Sequence, residues 1–169
     1  MTDTDLDSDV DVLARVPIAD VWSGHPVDFA LVTRGNRQFA AFYAANRALT
    51  IAARQLGSRD WTLARLATTL GWDSHNHIAM AVDDAEQIHV AANMHNVPLI
   101  YFRTTSPLDV TSFERVTSMV GTNEQTCTYP EFFRGPDGSL VFAYRDGVAA
   151  TATTSSTCTT FRSALGDAC

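Results

Sequence analysis

Apolar positions in this chain come in short runs separated by turn residues, not at the three-to-four spacing of an amphipathic helix. The segment 29–54 reads FALVTRGNRQFAAFYAANRALTIAAR, and 78–103 reads IAMAVDDAEQIHVAANMHNVPLIYFR; the two align without a gap. Each holds an apolar run, a polar turn, a second apolar run and a third run ending in Arg. A further copy starts near Pro130 as PEFFRGPDGSLVFAYRDG. Arg34-Gly35-Asn36, Asp83-Asp84-Ala85 and Pro136-Asp137-Gly138 carry hairpin turn chemistry between strand-like runs. Ile88-His89-Val90 and Leu99-Ile100-Tyr101-Phe102 have the β-branched and aromatic bias of strands. Trp61 to Leu66 and Phe113 to Val116 fit outer, fourth strands. A repeat of about 45–50 residues with about four strands each is the period of a β-propeller blade. The predicted fold class is therefore all-β, a partial β-propeller of about three four-stranded blades. A β-sandwich with similar hairpins is the alternative. Closure takes about four to eight blades, so the expectation is the front part of a longer protein.

The flanks differ from this repeat. Residues 1–20 begin MTDTDLDSDVDVL, and the alternating Asp3, Asp5, Asp7, Asp9 and Asp11 read as a solvated, disordered acidic tail. The propeller blades are expected over 21–147. From Val148 the text becomes VAATATTSSTCTTFRSALGDAC, the alternation stops, and no third strand for the last blade is recognisable. One reading is a low-complexity linker. A sharper one is a shifted reading frame over 148–169. Moving the codons by two bases allows Ser-Gly-Asn-Gly-Asn-x-Leu-Val-Tyr-Val-Tyr-Asp, a turn followed by a strand.

Composition narrows the function classes. The chain has 169 residues, 46% hydrophobic and 18% charged, enough for a real core. Its net charge of −7 argues against a nucleic-acid surface. No apolar run approaches the ~20 residues of a membrane helix. The N-terminus lacks the basic and apolar regions of a secretory signal, so the chain as read is cytoplasmic, and its localisation stays open. Cys127, Cys158 and Cys169 have no metal-type spacing, and neither a disulfide framework nor a cofactor is expected.

The candidate chemistry lies in His75, His95, Tyr129 and Arg145, within WDSHNHIAM, AANMHNVPLIYFR, TCTYPEFFRGPDG and FAYRDG. Two imidazoles, a phenol and a guanidinium suit removal of a proton next to a carboxylate. Arginine pairs with the carboxylate, and histidine and tyrosine carry protons. A tyrosine is a poor base unless a cation stands near it, and Arg145 lies on the next strand of the same hairpin. Equivalent positions on successive blades face one end of the central channel, so the four are expected to converge. His89 alternates within a strand and is expected to be packed or channel-facing. His77 reads as part of a turn network around Asn76. A zinc site from His75, His77, His95 and Cys127 has no tight motif behind it, and no metal ligand is assigned.

Four blocks carry a family resemblance: VWSGHPVDFALVTRGNRQFAAFY, LGWDSHNHIAMAVD, HVAANMHNVPLIYFRT and TYPEFFRGPDGSLVFAYRDG. Together they resemble the BNR-repeat family that includes ulvan-lyase-type polysaccharide lyases, many of whose members carry only a neuraminidase name. The resemblance spans about Val21 to Gly147. It implies a seven-bladed propeller and cleavage of an acidic, uronate-containing polysaccharide by β-elimination. It further implies His75 and Tyr129 as acid and base, with His95 and Arg145 binding the uronate. The order of proton transfer between His75 and Tyr129 stays open. A chain with three blades of seven is expected to be inactive as it stands. Two alternatives accompany this reading: a non-catalytic propeller that binds carbohydrate or protein, and an inactive gene remnant. A sialidase fits less well, because the S-x-D-x-G-x-x-W turns and the arginine cluster of that class are missing.

Overall fold

The computed structural model describes residue 12, residues 14–147 and the backbone of Ser156–Phe161. The rest of the acidic N-terminal segment and of the expected frame-shifted tail lies outside the described residues. Among the described residues, twelve strands form three four-stranded antiparallel sheets. The first is β1 (Ala30–Arg34), β2 (Arg37–Tyr43), β3 (Ala48–Gln55) and β4 (Thr62–Thr69), in that order. The second is β5 (Ile78–Val82), β6 (Ile88–Ala92), β8 (Tyr101–Thr104) and β9 (Phe113–Val116). The third runs β7 (His95–Val97), β10 (Cys127–Arg134), β11 (Leu140–Asp146) and β12 (Ser156–Phe161). These are the blades of an all-β, unclosed propeller, as the repeat predicts.

Alternation along each strand assigns the faces. In β6, Ile88, Val90 and Ala92 join a cluster with Phe39, Tyr43, Leu49 and Ile51 of the first blade. The intervening Ala91 joins a second cluster with Tyr101, Cys127, Phe142 and Tyr144 towards the third. Every residue of β6 is buried, because both faces of its sheet are covered by neighbouring blades. Full burial of such side chains stabilises by about 1.5–3 kcal/mol each, so blade stacking is the main source of cohesion. On the far side of the first blade, Ala40, Phe42 and Ala52 pack with Ile18 and Trp61.

The turns follow their residues. Arg34 pairs with Arg37, leaving a two-residue hairpin in which Gly35 (φ 57°) supplies the left-handed backbone. The Asp83 carboxylate closes the β5–β6 turn by accepting from the Gln87 N–H at 2.8 Å.

One expectation is corrected. The tail composition shows no third strand for the last blade, yet Ser156–Phe161 pairs with β11 from Leu140↔Phe161 to Arg145↔Ser156. A run of Ser, Thr and Cys satisfies ladder hydrogen bonds through its backbone whatever its hydropathy. His95 follows the second strand of its own blade and opens β7, which leaves the second sheet and pairs with β10 of the third, Thr128↔His95 and Cys127↔Val97. The gapless repeat hides this detour: where Ala48 starts β3 in the first blade, the matching segment peels away and β8 starts only at Tyr101.

Candidate functional site

The crossing of β7 builds the site. Thr128 on β10 lies between His95 on one side and Arg145 on the other, in one cross-strand row. Asn96 donates its N–H to Thr128 Oγ1 at 2.8 Å, locking the crossing. Thr128 is fully buried.

The next residue, Tyr129, sits at a β-bulge. The β10–β11 register shifts between Thr128 and Glu131, and Tyr129 has φ 54°. A bulky residue in the left-handed region, immediately before a proline, is strained by roughly 1–3 kcal/mol. Bulges re-aim side chains, and this one turns the phenol out of the ladder towards the loop before β5. Arg145 stands over the ring, its guanidinium carbon 4.8 Å from the centroid, and its Nε donates to Gly147 O at 3.3 Å.

The loop 70–77 supplies the remaining groups. Asn93 (φ 59°) anchors it, accepting from Gly71 N–H at 3.1 Å and donating to Thr69 O at 2.7 Å and Thr68 Oγ1 at 3.0 Å. Within the loop, Asp73 makes a side-chain turn, accepting from the His75 backbone N–H at 2.9 Å. Its Oδ1 also meets His75 Nδ1 at 2.6 Å, and its Oδ2 meets His95 Nδ1. The two imidazoles stack with centroids 4.5 Å apart. Tyr129 lies 6.0 Å from the His75 ring and 6.5 Å from the His95 ring. His75, His95, Tyr129 and Arg145 therefore form one cluster, as their strand positions predict. The His75 backbone N–H, then the His95 ring, hold the Asp73 carboxyl well below the usual carboxylate range.

The surroundings add residues that sequence reasoning did not select. His77 sets its ring edge-on to Tyr129 at 5.3 Å, with its Nδ1 against the Asp28 carboxylate. Asp28, His77, Tyr129 and Glu131 contribute polar groups to a groove of ≈ 650 Å³ between β1, β5 and β10. Trp72, immediately before Asp73, is 72% exposed. It is braced edge-on by Trp22 at 5.3 Å and by the Arg47 guanidinium, 5.8 Å from its centroid. The Asp-Ser-His turn was a legible signal for Asp73, because an Asp two residues before a backbone N–H favours this turn. The partners of His77 and Asn93 are 49 and about 24 residues away, beyond any local motif.

His89 behaves as predicted for a packed residue: it is fully buried, with Nδ1 2.5 Å from the Tyr101 hydroxyl and Asp83 Oδ2 3.1 Å from Nε2. The zinc set does not assemble. Cys127 is buried in the core between the second and third blades, where burial pushes its thiol up to about 12, and His77 is held by Asp28. Among the described residues the three donors that come together are Asp73, His75 and His95, with ligand atoms within 4.8 Å of one another. A cation there would have to displace their mutual hydrogen bonds.

Comparison with known proteins agrees with this architecture. The crystal structure of the polysaccharide lyase Uly1 superposes with a TM-score of 0.63 at 18% identity, covering 81% of this chain and 40% of that one. A polysaccharide lyase described as PL25 ulvan lyase gives 0.60 at 16% identity, over 77% of this chain and 35% of the other. The same lyase bound to -[GlcA(1-4)Rha3S]- gives 0.59 at 15% identity. At these identities the likeness shows the fold, and the chain spans 40% or less of each lyase's length. No curated protein sequence matches the chain. A profile of BNR repeat-containing family members matches residues 37–163, three quarters of the sequence, and the chain belongs to that family.

Proposed function

We propose that this chain carries the reaction centre of a polysaccharide lyase that cleaves uronate-containing chains by β-elimination. The observation that carries the proposal is the convergence of His75, His95, Tyr129 and Arg145 into one cluster, with the three aromatic rings within 6.5 Å of one another and the guanidinium over the phenol. The reaction requires a cation or donor on the uronate carboxylate, a base for the C5 proton and an acid for the leaving O4. Arg145 and His95 serve the carboxylate. Tyr129 and His75 exchange the protons. As the C5–H bond breaks, the electron pair forms the C4=C5 double bond and expels O4, which leaves protonated. The glucuronate-containing oligomer bound to one structural neighbour is the same substrate class.

The test is ultraviolet absorbance of the unsaturated uronate product on a panel of acidic polysaccharides, ulvan among them. It is run on the chain as given and with the reading frame after Gly147 restored. Turnover that disappears in Tyr129→Phe and in His75→Ala supports the assignment. Near-normal rates in either variant, or no product from the folded frame-restored protein on any uronate polymer, overturn it. A non-catalytic carbohydrate-binding propeller is the second reading, favoured by exposed Trp72; saturable oligosaccharide binding without product identifies that case.

A further inference from the structure

We infer that Asp73 is a positioning residue that sets the tautomer of both site histidines at once: Nε2 of each is left as the proton-accepting end, and His95 donates to the uronate carboxylate only after its Nε2 has taken up a proton, the resulting cation being paired with Asp73. The inference deepens the lyase reading and rests on it for its catalytic meaning.

An ionised carboxylate only accepts hydrogen bonds. Both imidazoles point Nδ1 at Asp73, one at each oxygen, so each neutral ring holds its proton on Nδ1 and presents a bare Nε2. The carboxylate stays ionised because three N–H groups converge on it: the His75 backbone, His75 Nδ1 and His95 Nδ1. The rings are 28° from parallel and stacked at 4.5 Å, so one acid at their edge reaches both. A carboxylate behind a working histidine fixes ring orientation and tautomer in other active sites, where loss of the correct tautomer costs about 10⁴ in rate. Here a single carboxylate does this for two rings, which makes the amide substitution asymmetric. Asparagine offers one acceptor oxygen and one donor NH₂. The ring facing the oxygen keeps Nδ1–H. The ring facing the NH₂ must offer a bare Nδ1, move its proton to Nε2, and turn from proton acceptor into donor.

The experiment is long-range ¹H–¹⁵N correlation of histidine side chains on the whole chain at about pH 8, above the ordinary histidine range. His75→Gln and His95→Gln identify the signals. The expected result is Nδ1–H in both His75 and His95 of the unsubstituted protein. One of the two should convert to Nε2–H in Asp73→Asn, and both should keep Nδ1–H in Asp73→Glu. An Nε2–H ring, or two exchanging tautomers, in the unsubstituted protein overturns the inference, and that measurement holds even if Asp73→Asn fails to fold. Loss of both Nδ1 protons on adding Zn²⁺ alone also overturns it, in favour of a cation site. The readout is independent of turnover. If the lyase reading fails, the tautomers still decide the role of Asp73. If the lyase reading holds, Asp73→Asn lowers kcat by about 10²–10⁴, and an unchanged kcat counts against positioning.

Discussion

Replacing Tyr129 by alanine and by glycine in parallel measures the strain stored at the bulge. Both variants remove the ring, its packing and its contact with Arg145, so those losses cancel in the comparison. They differ in the backbone alone. In extended strand, glycine is worse than alanine by roughly 0.5–1 kcal/mol, because it frees the unfolded chain. At φ 54° an alanine Cβ carries a left-handed penalty of roughly 1–2 kcal/mol that glycine escapes. The glycine variant should therefore be the more stable at position 129, by up to roughly 1.5 kcal/mol. Phe133 is the internal control. It lies on the same strand, is 47% exposed and has no positive φ, so there alanine should win. Urea unfolding reads both pairs. With slopes of about 1–3 kcal/mol/M, a 1 kcal/mol gap moves the midpoint by roughly 0.3–1 M. An alanine variant equal to or more stable than glycine at 129, with the normal order at 133, would falsify the claim that the backbone is strained there. Tyr129→Phe keeps both ring and strain, so its stability should stay within about 0.5 kcal/mol of the parent while turnover is lost.

Other expectations follow from burial and charge. His89 is held below its ordinary range by burial, against the raising influence of Asp83 and with Arg103 and Arg134 adding to the depression. The neutral ring is thus the folded form. Its contribution is complete above the unfolded value near ~6.5 and is lost as pH falls through it. Thermal melts should therefore show Tm falling below about pH 6.5, a slope that His89→Gln flattens; an unchanged slope would exclude His89 as the source. Phe142 is fully buried, its ring 4.8 Å from Phe132 and 5.7 Å from Tyr101. Phe142→Ala should cost about 3–5 kcal/mol in urea unfolding, and a loss under about 1 kcal/mol would mean that the second and third blades do not share this core. Trp72→Ala should weaken oligosaccharide binding, measured by calorimetry, by roughly 3–10-fold with Tm within a few degrees of the parent. Unchanged affinity would remove Trp72 from the binding surface.

Most of the architecture was legible because it is written in local patterns. Turn residues at Gly35, Asp83 and Gly138 punctuate apolar runs; β5 shows the period-two burial of strand geometry, while β2, β3 and β6 are near-continuous apolar runs buried on both faces. His75, His95, Tyr129 and Arg145 could be chosen because each is a chemically capable residue at the end of a run, and equivalent ends of successive blades share one rim. The strand β12 was not legible: it pairs with β11 over Ser156–Phe161, and its run of Ser, Thr and Cys carries no hydrophobic signal in the sequence.

The sequence by itself determined the repeat, most of the strands, the all-β class and four candidate groups for the site. The tertiary structure alone decided how those groups meet. It carries β7 out of its own blade to lie against β10, twists Tyr129 out of the ladder at a bulge, and brings Asp73 within reach of an imidazole 22 residues away. Periodicity reports which face of an element is buried, since burial is a property of each residue's own surroundings. Convergence of charges and protons depends on pairings between distant segments, which leave no mark on spacing along the chain.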